Sequence, residues 1–508
     1  MTDETAAPLI AGGPGPVGPK VDPAQTSAVD AIPAGLGLVK FIGAAGILSI
    51  SAISNLVRAV ITAKLLAVTL GPSMIGVLAQ ILNFSAFLFQ IIPLGLTTGV
   101  AKLVAESPKQ RERVGAVVGT SSALALISAT ACMVLLYPFS PQIAQLLTGS
   151  TRYALAVSLI LLSLPLYNAA GVLSYVLQGL SDLRGLTIAN LATAIGSLAV
   201  LVPATILFGL VGATAAVAVA SVLQFLFFGV AIWRAFRTRG WPVSSLSISR
   251  PMARSLLHYG GVLLVTGIGA WGSLVIVRTV GIHTLGEFQN GIYQVVNGVS
   301  SQYMAVFIAW MAAYVFPRVV AEQTGPRLQA LLNSVLRANL LIMGTGLTMT
   351  VALREVVVRL LYSSAFSTAA PMLPIQVLGD YARVIGWSFG ICLFAQGRSR
   401  AYLVAMLAQD ALWIAVTSAT LHPFGSAAIA MGYSLSSLAW PAIMYPLVRG
   451  WFAVRINGEG ALLCAVGLAA IVGAILLPVI PGLLLAGAIP TVAYVSTQRG
   501  RLRSTGGL

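Results

Sequence analysis

Six ionisable side chains lie within long apolar runs of the chain: Arg58, Lys64, Arg278, Asp380, Arg383 and Asp410. A charge in hydrocarbon costs about 2.5–3.5 kcal/mol on insertion scales, so such a residue normally faces a water-filled cavity or a partner. Four cations at that depth suit an anion. Arg can grip phosphate through two parallel N–H bonds, whereas Lys acts as a mobile point charge. Arg58 and Lys64 are six residues apart, roughly 120° around a helix of 3.6 residues per turn, so one stripe does not present both. Lys64 and Arg278 lie near the ends of their runs, where a long side chain can snorkel to the interface. Asp380 and Arg383, at i and i+3, can neutralise each other. Asp410 has no basic neighbour within its own run, and it and Asp380 are the candidates to bind H⁺ or Na⁺. Asn83 and Gln294 offer amides to a polar ligand, with interhelical hydrogen bonds as the alternative.

The elements that must carry these residues are membrane helices. The chain has 508 residues, 58% hydrophobic and 8% charged, with a mean hydropathy of +0.93. Soluble domains carry about a quarter charged residues, and no polar stretch here is long enough to form one. A crossing takes about 20 apolar residues, and fourteen such runs follow one another between residues 41 and 497. With the N-terminus inside, the basic residues fall on the cytoplasmic side, as the positive-inside rule requires. The exceptions are Arg152, Arg354 and Arg359 in outside connections and the four intramembrane cations. Residues 1–36, rich in Ala, Pro and Gly, lack the basic and apolar regions of a secretory signal and read as a disordered cytoplasmic tail.

The net charge of +16 does not indicate nucleic acid, because the basic residues sit between apolar runs rather than on one face. Cys132, Cys392 and Cys464 have no metal or redox spacing, and His258, His283 and His422 are scattered, so no metal site or cofactor is expected. No phosphate-binding loop, His-Glu-x-x-His pair or nucleophile elbow is present. An enzyme is therefore not expected; the alternative of a membrane glycan ligase or polymerase lacks the large outside loop its acceptor would need.

The chain repeats internally. Gly76-Val-Leu-Ala-Gln80 matches Gly291-Ile-Tyr-Gln294, and Lys102-Leu-Val-Ala-Glu106 matches Arg318-Val-Val-Ala-Glu322. Lys64 pairs with Arg278, and Gln178-Gly179 with Gln396-Gly397, at offsets drifting from 214 to 218. Six runs per half is an even number, so both halves enter the membrane alike. Parallel repeats about an axis along the membrane normal are a transporter architecture, with the site between the bundles. The expected fold is all-α: a six-helix bundle over 37–232, a cytoplasmic linker over 233–257, a second six-helix bundle over 258–455, and an extra helix pair with a cytoplasmic tail over 456–508.

Several motifs resemble one family. Lys64-Leu-Leu-Ala-Val-Thr-Leu-Gly-Pro72 with Thr97-Thr-Gly-Val-Ala-Lys102, Ile292-Tyr-Gln294 with Tyr314-Val-Phe-Pro-Arg318, and Gly379-Asp380-Tyr-Ala-Arg383 with Gly386-Trp387 are similar to segments of the Wzx-type flippases. These belong to the multidrug/oligosaccharidyl-lipid/polysaccharide exporter superfamily. The resemblance covers about residues 35–455. It implies a bacterial inner-membrane protein, both termini cytoplasmic, that translocates a polyprenyl-pyrophosphate-linked oligosaccharide for O-antigen, capsule or exopolysaccharide synthesis. Arg58, Lys64, Arg278, Arg383, Asn83 and Gln294 are the candidate substrate contacts. Two departures stand out: the family's usual Lys in the tenth span is Arg383, and the pair after residue 460 is absent from shorter members. The pair keeps a lipid II flippase open as an alternative, beside a cation-coupled drug antiporter.

Overall fold

A computed structural model describes residues 36–93, 96–242, 246–322 and 324–505. Nearly all of the expected tail at 1–36 lies outside them. Contacts divide the chain into units 1–50 and 51–508. The first contributes the helical backbone of 36–50, and everything below concerns the second. Among the described residues every regular element is helical. The helices are α1 (Leu36–Ile91), α2 (Leu96–Glu106), α3 (Arg111–Leu136), α4 (Ser140–Thr148), α5 (Ala154–Gly179), α6 (Leu183–Thr238), α7 (Arg250–Trp310) and α8 (Phe316–Ala321). After them come α9 (Pro326–Asn339), α10 (Thr345–Ala352), α11 (Arg354–Leu361), α12 (Leu373–Ala395), α13 (Ser399–Phe424), α14 (Ala427–Phe452), α15 (Gly458–Leu476) and α16 (Val479–Thr505). Single π-helical stretches, Met311–Val315 and Leu340–Gly344, join α7 to α8 and α9 to α10, and a 3₁₀ segment, Ser364–Met372, precedes α12.

Ten helical stretches are long and apolar enough to cross a membrane. Three of them are interrupted by a glycine in a conformation no helix contains: Gly71 in α1, Gly209 in α6 and Gly286 in α7. In a straight helix Arg278 and Gln294 would be about 24 Å apart at 1.5 Å per residue, yet their side chains are hydrogen-bonded. The chain therefore doubles back at Gly286. Likewise a Cβ on Gly196 would lie 3.1 Å from Leu223, which demands a reversal at Gly209. Dividing the three stretches gives thirteen crossings, and the shorter apolar Val479–Val495 is the fourteenth.

The internal repeat is written in the backbone. Gly71 (φ 70, ψ 177) and Gly286 (φ 85, ψ 172) are a pair, as are Gly209 (φ 58, ψ −130) and Gly425 (φ 57, ψ −141). Ser181 (φ 55) and Gly397 (φ 76) both end a helix in the left-handed region. There Asp182 N–H donates to the Leu177 carbonyl at 3.0 Å, and Arg398 N–H to the Leu393 carbonyl at 2.8 Å, the same helix-ending bond in each half. These offsets are 215 and 216. They shift three of the sequence matches: Gly397 corresponds to Ser181 rather than Gly179, Arg278 to Ala63 rather than Lys64, and Gln294 to Ala79 rather than Gln80. One residue of register rotates a helical side chain by about 100°.

The turns at Gly71, Gly209, Gly286 and Gly425 gather at one end. Gly209 lies 4.0 Å from Leu70, Ser426 donates to Gln289 Oε1 at 2.7 Å, and His283 Nε2 is 2.8 Å from the Leu146 carbonyl. The arginine-rich connections form the opposite, basic end, where Gln396 donates to the carbonyls of Val319 and Glu322. Buried apolar side chains follow the same division, with two clusters largely in the first half and two in the second. Residues of α15 and α16 join the second-half cluster that also contains α9, α10 and α12.

Candidate functional site

Arg58 sits on the first arm of α1, half-buried, with no hydrogen-bond or ion-pair partner among the described residues. It lies 13 residues before the turn at Gly71, level with Asn83 on the returning arm by the count along the two arms. The Asn83 amide nitrogen is buried without an acceptor, and so is the hydroxyl of Thr62, one helical turn from Arg58. Tyr167 of α5 is within electrostatic reach of Arg58 and stacks on Phe89 with ring centroids 3.7 Å apart. The first half thus holds a set of donors in need of an acceptor.

The other expected cations are placed differently. Lys64 donates its ammonium to the Arg359 carbonyl at 2.9 Å, tying the first half to the second at the turn end. Arg278 is 0% exposed. Its Nε donates to Asn290 Oδ1 at 3.0 Å, its Nη2 to the Asn290 carbonyl at 3.1 Å, and its Nη1 to Gln294 Oε1. Held this way, Asn290 donates across to the Gly76 carbonyl at 2.9 Å. Arg278 does not snorkel to the interface: the turn at Gly286 folds Asn290 and Gln294 onto it.

Asp380 is also fully buried. One carboxylate oxygen accepts from Ser300 at 2.7 Å and from Tyr303, and the other accepts from Tyr433 at 2.5 Å. The expected i, i+3 pair with Arg383 does not form among the described residues; hydroxyls from α7 and α14 occupy both oxygens. Arg383 stacks over the Tyr433 ring at 4.6 Å. With the Gln409 amide turned so that its oxygen faces Arg383, that oxygen accepts from Nε and Nη2 at 3.1 Å each; the guanidinium is within electrostatic reach of both Asp380 and Asp410. Asp410 receives one long bond, from Ser273 at 3.4 Å, and its second oxygen has no hydrogen-bond partner among the described residues. That oxygen lies 2.8 Å from where a Cβ on Gly269 would stand. Tyr303, Tyr433 and Gln409 were missed from sequence because each becomes significant only through a residue on another helix.

Beside Asp410 is an apolar cavity of about 540 Å³, lined by Trp271, Trp387, Phe394, Tyr402 and Met406 from the second half and by Gln90 from the first. Gln90 lies against Gly267 and Phe87 against Gly272. The first arm of α7 is therefore held between the first half and Asp410. No group of three or more potential metal ligands occurs among the described residues.

The chain resembles known proteins over most of its length. It is 24% identical over 410 residues to the lipid III flippase of Escherichia coli (strain K12), covering 77% of this chain and 94% of that protein. Its fold matches an inward-facing multidrug resistance MATE transporter of the MOP superfamily, with a TM-score of 0.67 at 16% identity, covering 81% of this chain and 98% of the other. It also matches the lipid II flippase MurJ in an inward closed conformation, with a TM-score of 0.63 at 14% identity and coverage of 90% and 99%. The family model described as polysaccharide biosynthesis protein matches residues 43–321. That stretch is more than half of the sequence, and the chain belongs to the polysaccharide biosynthesis protein family.

Proposed function

We propose that this chain is a flippase, moving a polyprenyl-pyrophosphate-linked oligosaccharide from the cytoplasmic to the periplasmic leaflet of the bacterial inner membrane. The observation that carries the reading is Arg58. A half-buried guanidinium without a hydrogen-bond or ion-pair partner among the described residues, one helical turn from a hydroxyl that also lacks one, suits an anion. Tyr167 and Asn83 complete it, and pyrophosphate is the anion such a substrate brings. The aromatic cavity at Gln90 and Trp271 suits the prenyl tail, and Asp410, with one free oxygen, suits the coupling H⁺ or Na⁺. The family and the flippases among the relatives support transport rather than catalysis. In this reading the halves are residues 37–232 and 258–455, joined by 233–257, with the added pair in 456–508. The basic end is cytoplasmic, the turn end periplasmic, and both termini are inside.

Arg58→Ala should insert and express normally but lose flipping at least tenfold, with lipid-linked oligosaccharide accumulating on the cytoplasmic leaflet. Arg58→Lys should keep part of the activity. Full flipping by expressed Arg58→Ala protein would remove the site. A drug antiporter is the second reading, favoured by the pairing of an aromatic cavity with Asp410. Deletion that leaves surface glycans intact while changing drug sensitivity would select it.

A further inference from the structure

We propose that the cavity of about 410 Å³ beside α11, at the turn end, binds one anionic phospholipid of the outer leaflet. The site lies away from the substrate contacts of the flippase reading, and it takes its leaflet from the orientation given there. Its rim carries Arg354, Arg359 and Glu355, and its wall includes Ile375 and Leu378 of α12 and Ile475 of α15. Two of the three basic residues that topology assigns to the outside therefore meet in one cavity, and the Lys64 ammonium is bonded to the Arg359 carbonyl at 2.9 Å. Cations are rare on that face of a bacterial membrane protein.

The arrangement fits a lipid phosphate. Arg354 is fixed through Nη1 by the carbonyls of Val351 at 3.0 Å and Ala474 at 3.3 Å. Its Nε and Nη2 have no protein partner among the described residues, so a preset guanidinium edge faces an acceptor. Arg359 is paired with Glu355 at only 3.6 Å, with both side chains exposed, at 67% and 69%. An ion pair of that kind contributes little and yields to a phosphate. Two arginines against one glutamate leave a single net positive charge, which matches one phosphodiester better than a pyrophosphate. Below the rim the isoleucines and Leu378 line the path an acyl chain would take. Ala474 and Ile475 belong to the last turn of α15, so the helix pair beyond the twelve core crossings completes the site.

Native mass spectrometry of the detergent-purified full chain, titrated with phosphatidylglycerol or with phosphatidylcholine of the same acyl chains, tests this. One phosphatidylglycerol should be retained at about tenfold lower concentration than phosphatidylcholine. Arg354→Gln with Arg359→Gln should abolish that preference, and Ile475→Trp, which fills the cavity and keeps the charges, should weaken both lipids. Equal retention of the two lipids, an unchanged double variant, or retention of polyprenyl pyrophosphate in place of phosphatidylglycerol would overturn the proposal. Transport plays no part in the readout, so a chain that flips nothing yet keeps its phosphatidylglycerol fails the flippase reading alone. Labelling of Ser367→Cys in whole cells by a membrane-impermeant maleimide should succeed from outside; labelling only from the cytoplasm would refute the outer-leaflet assignment.

Discussion

Asp380 accepts three hydroxyl hydrogen bonds and Asp410 accepts one long one, and this separates the two residues that sequence offers as cation-binding candidates. A buried acceptor that serves several donors is costly to lose, because every donor is then left unsatisfied. Asp380→Asn should therefore lower stability by about 2–4 kcal/mol, seen as a lower Tm in detergent. Asp410→Asn should leave Tm nearly unchanged while removing the dependence of flipping on pH or Na⁺; normal dependence would clear Asp410 of coupling. A second residue-scale test concerns Ser181. Its left-handed backbone costs a non-glycine residue about 1–2 kcal/mol, and its repeat mate is Gly397. Ser181→Gly should raise Tm, and a fall would show that the serine side chain contributes more than the strain removes. The charged positions were legible from sequence, since hydrocarbon makes each one conspicuous. Their roles were not, because Tyr303, Tyr433 and Asn290 reach them from elsewhere in the fold.

Among the elements, the contact of α1 with α7 decides how the halves meet. A Cβ on Gly291 would stand 1.8 Å from the Pro72 carbonyl oxygen, and one on Gly76 would stand 2.2 Å from that of Glu287. Backbone packs on backbone, and no side-chain adjustment relieves either clash. Nearby, Arg152 grips both oxygens of Glu287 at 2.7 and 2.8 Å, and Tyr153 donates to one of them at 2.8 Å. Gly291→Ala should hold the turn end apart without preventing insertion. An Arg152→Cys, Glu287→Cys pair should be bridged efficiently by a short thiol cross-linker in the parent chain and poorly in the Gly291→Ala background. Equal cross-linking would mean that the contact is not needed for closure. The sequence showed these glycines as a motif match. It did not show that they touch, because a repeat in sequence carries no information about which copies of an element adjoin.

At the scale of the whole molecule, fourteen crossings were legible because apolar length and the placement of arginine are strong signals. The fold agrees: the ten apolar stretches become thirteen crossings once three are divided at their glycine turns, and the shorter Val479–Val495 is the fourteenth. An even number of crossings puts both termini on one side. A reporter active only in the periplasm, fused after Leu508, should stay silent, and a signal from it would reverse the orientation proposed here. The repeat also has a history implied by its geometry. Gly76 and Gly291 are equivalent positions that touch, so an ancestral half paired with its own copy would have set one glycine against itself, and every mutation there would have struck twice. Two halves carried on one chain are free of that constraint. Arg278, Asn290 and Gln294 have Ala63, Ile75 and Ala79 as their counterparts, so the polar clasp that now holds the contact exists in one copy only, an asymmetry that a symmetric pair of identical chains had no means to encode.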